Sequence, residues 1–93
     1  MAQADLHCRI MGNVFITQEK SQAQFYFYVE ESEAFADLLV FWEDSRVFAD
    51  RPGLWHRVES PALADFILYE EKERGYAHFR LFVVDIENYA GCQ

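Results

Sequence analysis

Three aspartates are the residues best placed to do chemistry. Asp37, Asp50 and Asp65 each follow an alanine, and the first two close the tripeptide Phe-Ala-Asp at either end of FADLLVFWEDSRVFAD. Carboxylates that recur at one position of a repeating unit can form a column and hold a hard cation through their oxygens. The architectural alternative is that each Asp accepts backbone N–H groups where a turn hands over to the next strand. Stacked carboxylates repel each other, so the architectural role is the expectation. Asp37, Asp50 and Asp65 remain the metal candidates that the spacing offers.

The other reactive types are sparse. His7 and Cys8 are adjacent, and Cys92 lies far along the chain. A fold that joined these regions could assemble a His/Cys metal site or a Cys8–Cys92 disulfide, but no C-x-x-C spacing is present. Two separate thiols, kept reduced in a cytoplasmic protein, are expected. His56 reads as a packed strand residue and His78 as a surface turn residue. Ser45 and Ser60 lack the context of an activated nucleophile. No phosphate-binding glycine loop and no H-E-x-x-H occurs. The runs EESE, EDSR and EEKER read as solvated faces. The expectation is therefore no catalytic residue, no cofactor and no enzyme activity.

The elements that would position these residues repeat. Alanines 23, 36, 49, 64, 77 and 90 recur every 13 residues, with one interval of 15 that contains Pro52-Gly53. Nine residues before them stand Val14, Phe27, Val40, Trp55, Leu68 and Leu81, all apolar. Eight before stand Phe15, Tyr28, Phe41, His56, Tyr69 and Phe82. Each unit reads as a short strand, apolar on both faces, followed by a short helical turn. Ser32, Ser45 and Ser60 cap three of the turns, and Pro61 follows the third cap. The turn is expected to bury the alanine and the residue before it. Residues 1–13 read as an N-terminal strand and turn, with HCRIM and NVFIT as a hairpin about Gly12-Asn13. Residues 14–92 hold six repeats in one domain, an α/β repeat fold. A connection of about seven residues falls short of the dozen that a parallel crossover usually needs. Successive strands are therefore expected to enter different sheets. The Pro-Gly insertion divides the units into three plus three and marks a second pass of the chain.

Composition narrows the partners. The 93 residues carry a net charge of −8, and 52% are apolar and 17% aromatic. Eight scattered Lys and Arg leave no basic patch, so neither nucleic acid nor an anionic membrane is an expected partner. No apolar run is long enough to span a membrane, and the start has no signal-peptide pattern. A protein partner, or self-association, remains.

The unit of strand, acidic or Ser cap, short turn and Ala-Asp resembles the small bacterial septoil-knot domain, formerly a domain of unknown function. TQEKSQAQ, GLWHRVESPALAD and ENYAG carry the resemblance, which extends from about Arg9 to Gln93. Ala-Asp is intact only at Ala36, Ala49 and Ala64, and the family's Ser two before Ala survives only as Ser21. The resemblance implies a backbone wound twice around and closed into a 7(1) torus knot. It carries no established activity or catalytic residues. The function expected first is a stable, non-enzymatic protein-binding or self-associating module. An acidic inhibitor or immunity-type protein comes second, and a small metal-dependent hydrolase last.

Overall fold

The column nine residues before each alanine is the inside of a barrel. In the computed structural model, which describes residues 2–93, six parallel strands close into a ring: β1 (Gly12–Ile16), β2 (Phe25–Val29), β3 (Leu38–Trp42), β4 (Leu54–Arg57), β5 (Phe66–Glu70) and β6 (Phe79–Val83). Their order is β4-β1-β5-β2-β6-β3, and β3 pairs with β4 to close it. A two-residue strand, β7 (Gly91–Cys92), lies antiparallel on β3. Val14, Phe27, Val40, Trp55, Leu68 and Leu81 are all buried, with Ile10, Leu38 and Phe79 beside them. A second cluster of Ala36, Leu39, Ala49, Leu54, Val84 and Ala90 forms the other core, with half-buried Phe41 and Phe82 packed on it. Two cores explain why the strands are apolar on both faces.

The fold is not an α/β repeat. Among the described residues there is no α-helix; the repeats carry only three-residue 3-10 turns: η2 (Lys20–Gln22), η3 (Glu33–Phe35), η4 (Arg46–Phe48), η5 (Pro61–Leu63), η6 (Arg74–Tyr76) and η7 (Glu87–Tyr89). Each alanine N–H donates to the carbonyl three residues back, and most of the alanines are already extended. No residues are left for an α-helical turn. Ser32, Ser45 and Ser60 cap η3, η4 and η5 as expected, each accepting the N–H two residues on. The N-terminal hairpin is also absent. A 3-10 helix, η1 (Ala2–Arg9), precedes β1 instead.

Successive strands do not enter different sheets. They share the ring and sit two places apart, and the register shows why short connections suffice. Ile16, which ends β1, and Phe25, which starts β2, flank the same residue, Leu68. Val29 and Leu38 likewise flank Leu81, Arg57 and Phe66 flank Val14, and Glu70 and Phe79 flank Phe27. The chain need only cross two strand spacings, ~10 Å, rather than return along a strand. The crossover rule assumes no such stagger. Followed once round the ring, the registers come back displaced by about twelve residues, twice the number of strands. The strands are therefore steeply tilted, which widens a six-stranded ring enough for Trp55 and Phe27.

Each turn arches over the strand between the two it joins: η3 lies on β6, η5 on β1 and η7 on β3. The residue that follows each strand donates its N–H to the carbonyl of a barrel-lining residue, as in Thr17 to Leu68, Glu30 to Leu81 and Glu71 to Phe27. The Pro-Gly insertion marks the one exception. It lets β4 settle next to β3, so that β4, β5 and β6 fill the gaps left by β1, β2 and β3. Gly53 there has φ +88°, and a Cβ would collide with the Leu39 carbonyl. The three-plus-three division is thus two passes round one barrel.

The alanines are equivalent but not uniformly buried. Ala36, Ala49 and Ala90 are buried, while Ala23, Ala64 and Ala77 are half-buried. The residue before alanine points the other way from expectation. Phe35, Phe48, Leu63, Tyr76 and Tyr89 are 59–69% exposed. A 3-10 turn has three residues per turn, so only its flanking alanine faces the barrel.

Candidate functional site

Asp37 and Asp65 are backbone clasps. Asp37 Oδ2 accepts the N–H of Arg80 at 2.9 Å, and the Asp37 N–H donates to the Arg80 carbonyl. Asp65 makes the same two-point contact with Asn13, and Gln24 and His78 make it with Ile67 and Tyr26. A side-chain acceptor thus completes the ladder at the start of β2, β3, β5 and β6. Asp50 precedes the insertion and is exposed. The three candidate acids sit on different turns; Asp50 and Asp65 line one open depression together with Arg9 and Arg46, and Asp37 is not part of it.

Cys8 and Cys92 do meet. Their sulfurs are bonded, with Cα atoms 5.3 Å apart and a sequence separation of 84. The expectation of two separate thiols is corrected: β7 lays Cys92 along β3, beside η1. The His7 ring lies within 4.8 Å of both sulfurs, but a disulfide has no thiolate to offer a metal. His56 is half-buried on β4, with Nδ1 3.0 Å from the Glu43 carbonyl. No helix of the described residues is long and apolar enough to cross a membrane.

The residues that sequence reading missed are buried acids. Six before the alanines stand Thr17, Glu30, Glu43, Val58, Glu71 and Val84, and the three glutamates are buried. Three before the alanines stand Lys20, Glu33, Arg46, Pro61, Arg74 and Glu87. The arches bring the two columns together. At the end of β5, Glu71 forms an ion pair with Lys20, whose Nζ lies 4.8 Å from the Tyr26 ring centre and 5.6 Å from that of Tyr76. The Glu71 hydrogen bond raises the Lys20 pKa further. At the end of β2, Glu30 takes two contacts from Arg74, at 3.0 and 2.9 Å, and the guanidinium lies over Tyr28. The carboxylates are buried while the cations stay about half exposed, so removing a cation leaves a buried charge unpaired. The signal was present in the sequence as three glutamates in register after apolar strands, hidden inside runs that read as solvated.

The third site breaks the pattern. At the end of β3, Glu43 is 9% exposed, and the turn residue facing it is Glu87. The Glu87 carboxyl, through a hydrogen bond, holds the Glu43 pKa up at about 7; burial and the charges of Glu87, Asp44 and Asp50 add to the effect. Folded protein therefore binds a proton here that the unfolded chain has released. Stability should fall as pH rises from about 4.5 to about 7. Melting temperatures across that window check this, and Glu43→Gln is expected to flatten the decline. An equal slope in both proteins would refute it.

The barrel also opens at the C-terminal ends of its strands. A depression of about 340 Å³ there is lined by Phe27, Trp42 and Leu81, with Arg57 and Lys72 among its charged residues.

Residues 7–93 match the family model described as the 7(1) septoil knot domain. No protein with a curated description matches the chain, and no solved structure does.

Proposed function

We propose, for a chain that belongs to the 7(1) septoil knot domain family, a non-enzymatic role: it binds a protein partner, or a second copy of itself, through the turns outside its barrel. The observation that carries this reading is the placement of the exposed residues before the alanines. Taken in ring order, the turns over β2, β6, β3 and β4 present Tyr76, Phe35, Tyr89 and Phe48. Leu63 lies over β1, and only Gln22, over β5, interrupts the band. Large apolar side chains that contribute little to the core, repeated on neighbouring turns, are the usual substance of an interface. The net charge of −8 around them favours a partner face with basic groups. That charge equally supports an acidic inhibitor that occupies a basic site on its target.

The test is a triple variant, Phe35→Ser, Phe48→Ser and Tyr89→Ser. Its melting temperature is expected to stay within about 3 °C of the parent, because all three side chains are exposed. Concentration-dependent sedimentation, and cross-linking to a partner in host lysate, are expected to be lost. Association that survives in a folded variant would overturn the reading.

A further inference from the structure

The three acid sites are one site built three times, and they differ in a single respect. Glu71, Glu30 and Glu43 occupy the same position after β5, β2 and β3. The turn arching over each supplies Lys20, Arg74 and Glu87 in turn, again from one position. The first two sites are therefore filled by an ammonium and a guanidinium group from the chain itself. The third has a second carboxyl where the cation should be. Glu43 is buried like Glu30 and Glu71, but among the described residues no Lys or Arg forms an ion pair with it as Arg74 and Lys20 do with those two. Arg51 is engaged elsewhere: its guanidinium donates to the backbone carbonyls of Ala90 and Glu87, at 2.7 and 3.1 Å. Arg57 lines a depression with Glu43 but forms no ion pair with it.

The aromatic surroundings recur as well. Tyr69 and Tyr76 lie within 6 Å of the Lys20 ammonium; Phe41 and Phe48 hold the same places in the repeat that carries Glu43, and Trp42 lines a depression with Glu43. A desolvated carboxylate with an aromatic face beside it suits an organic cation better than a hydrated metal ion. The site lies between the turns that carry Tyr89 and Phe48, within the band described above.

We propose that Glu43 and Glu87 form a receptor for a lysine or arginine side chain of a partner protein, which occupies the position that Lys20 and Arg74 fill at the other two sites. The inference rests on the reading of the turn band as a binding surface and adds the chemistry of its partner. Bound, the cation would release the shared proton and leave both carboxylates charged. Binding should therefore strengthen as pH rises through about 7.

The probe is an octapeptide of alternating glycine and lysine, titrated into the intact protein and followed by amide chemical shifts at pH 8. A glycine–glutamine octapeptide is the control. Shifts are expected at residues 43 and 87 with the lysine peptide alone. Glu87→Lys supplies the missing cation from within; it should weaken peptide binding at least tenfold and raise the melting temperature at pH 8. Glu33→Lys makes the same change of charge on another turn and should change affinity less than twofold. Equal weakening by both variants, a lower melting temperature in Glu87→Lys, or displacement of the peptide by millimolar calcium at residues 43 and 87 would each overturn the proposal. The triple serine variant separates the two readings. If it abolishes association while the peptide leaves residues 43 and 87 unmoved, the cation receptor fails and the binding band stands.

Discussion

Trp55→Ala is expected to cost ~3–5 kcal/mol, which is a large share of the ~5–15 kcal/mol that holds a domain together. Trp55 is fully buried and sits inside the ring. Its ring meets Trp42 at 5.5 Å and Phe27 at 6.3 Å, both edge to face. Truncation opens a cavity that closed strands cannot collapse to fill, because a barrel has no free edge along which to slide. The indole also donates to the Ile10 carbonyl at 2.8 Å. Its loss leaves the Ile10 carbonyl with only the longer bond from the Gly53 N–H, at 3.3 Å. Trp55→Phe separates the two contributions, since it keeps most of the packing and loses the donor; it should cost on the order of 1–3 kcal/mol. Urea denaturation followed by circular dichroism gives both values. A loss below about 1 kcal/mol for Trp55→Ala would mean that the ring is not the cooperative core.

Reduction of the Cys8–Cys92 bond is expected to cost ~4–5 kcal/mol. The bond spans 84 residues, so the unfolded chain that it cross-links loses much conformational freedom. Residues 8–92 become a covalent ring, and a knot in a ring cannot be undone by withdrawing an end. The oxidised chain should therefore unfold with its topology intact and refold promptly. The reduced chain, after long denaturation, must thread itself again and should refold more slowly. Urea midpoints with and without reductant test the first part, and the m-value should rise on reduction as the unfolded ensemble expands. Refolding after delays of minutes and of days tests the second. Cys8→Ser should behave like the reduced protein whatever the reductant. Equal midpoints for the oxidised and reduced forms would refute the first expectation.

Much of the architecture was legible in the residues. Six alanines at 13-residue spacing placed the six barrel strands and the six turns that follow them, because each unit solves the same local problem with the same side chains. The column from Val14 to Leu81 was visible as uniformly apolar, and the structure makes it the barrel interior. The extra length at Pro52-Gly53 marked the change of pass. Asp37 and Asp65 could be read as clasps because an Asp beside a turn has few better partners than backbone N–H groups. What these readings share is range: propensity, capping and two-residue alternation act over a few residues and leave their mark in the order of the chain.

The errors share the opposite property. A closed ring, a register displaced by about twelve residues and the skip of one strand at most steps are set by pairings between residues about 40–55 positions apart. No local rule carries that information, and the rule for parallel crossovers pointed away from it. The same distance hid the acid sites. Glu30 and Glu71 are buried only because the arches of a different pass bring Arg74 and Lys20 over them, 44 and 51 residues away in sequence. Cys8 and Cys92 bond because β7 turns back along β3. By itself the sequence determined the repeating unit and its two apolar faces. Only the tertiary structure decided which units become neighbours, since that choice lies in hydrogen bonds and ion pairs between passes of the chain.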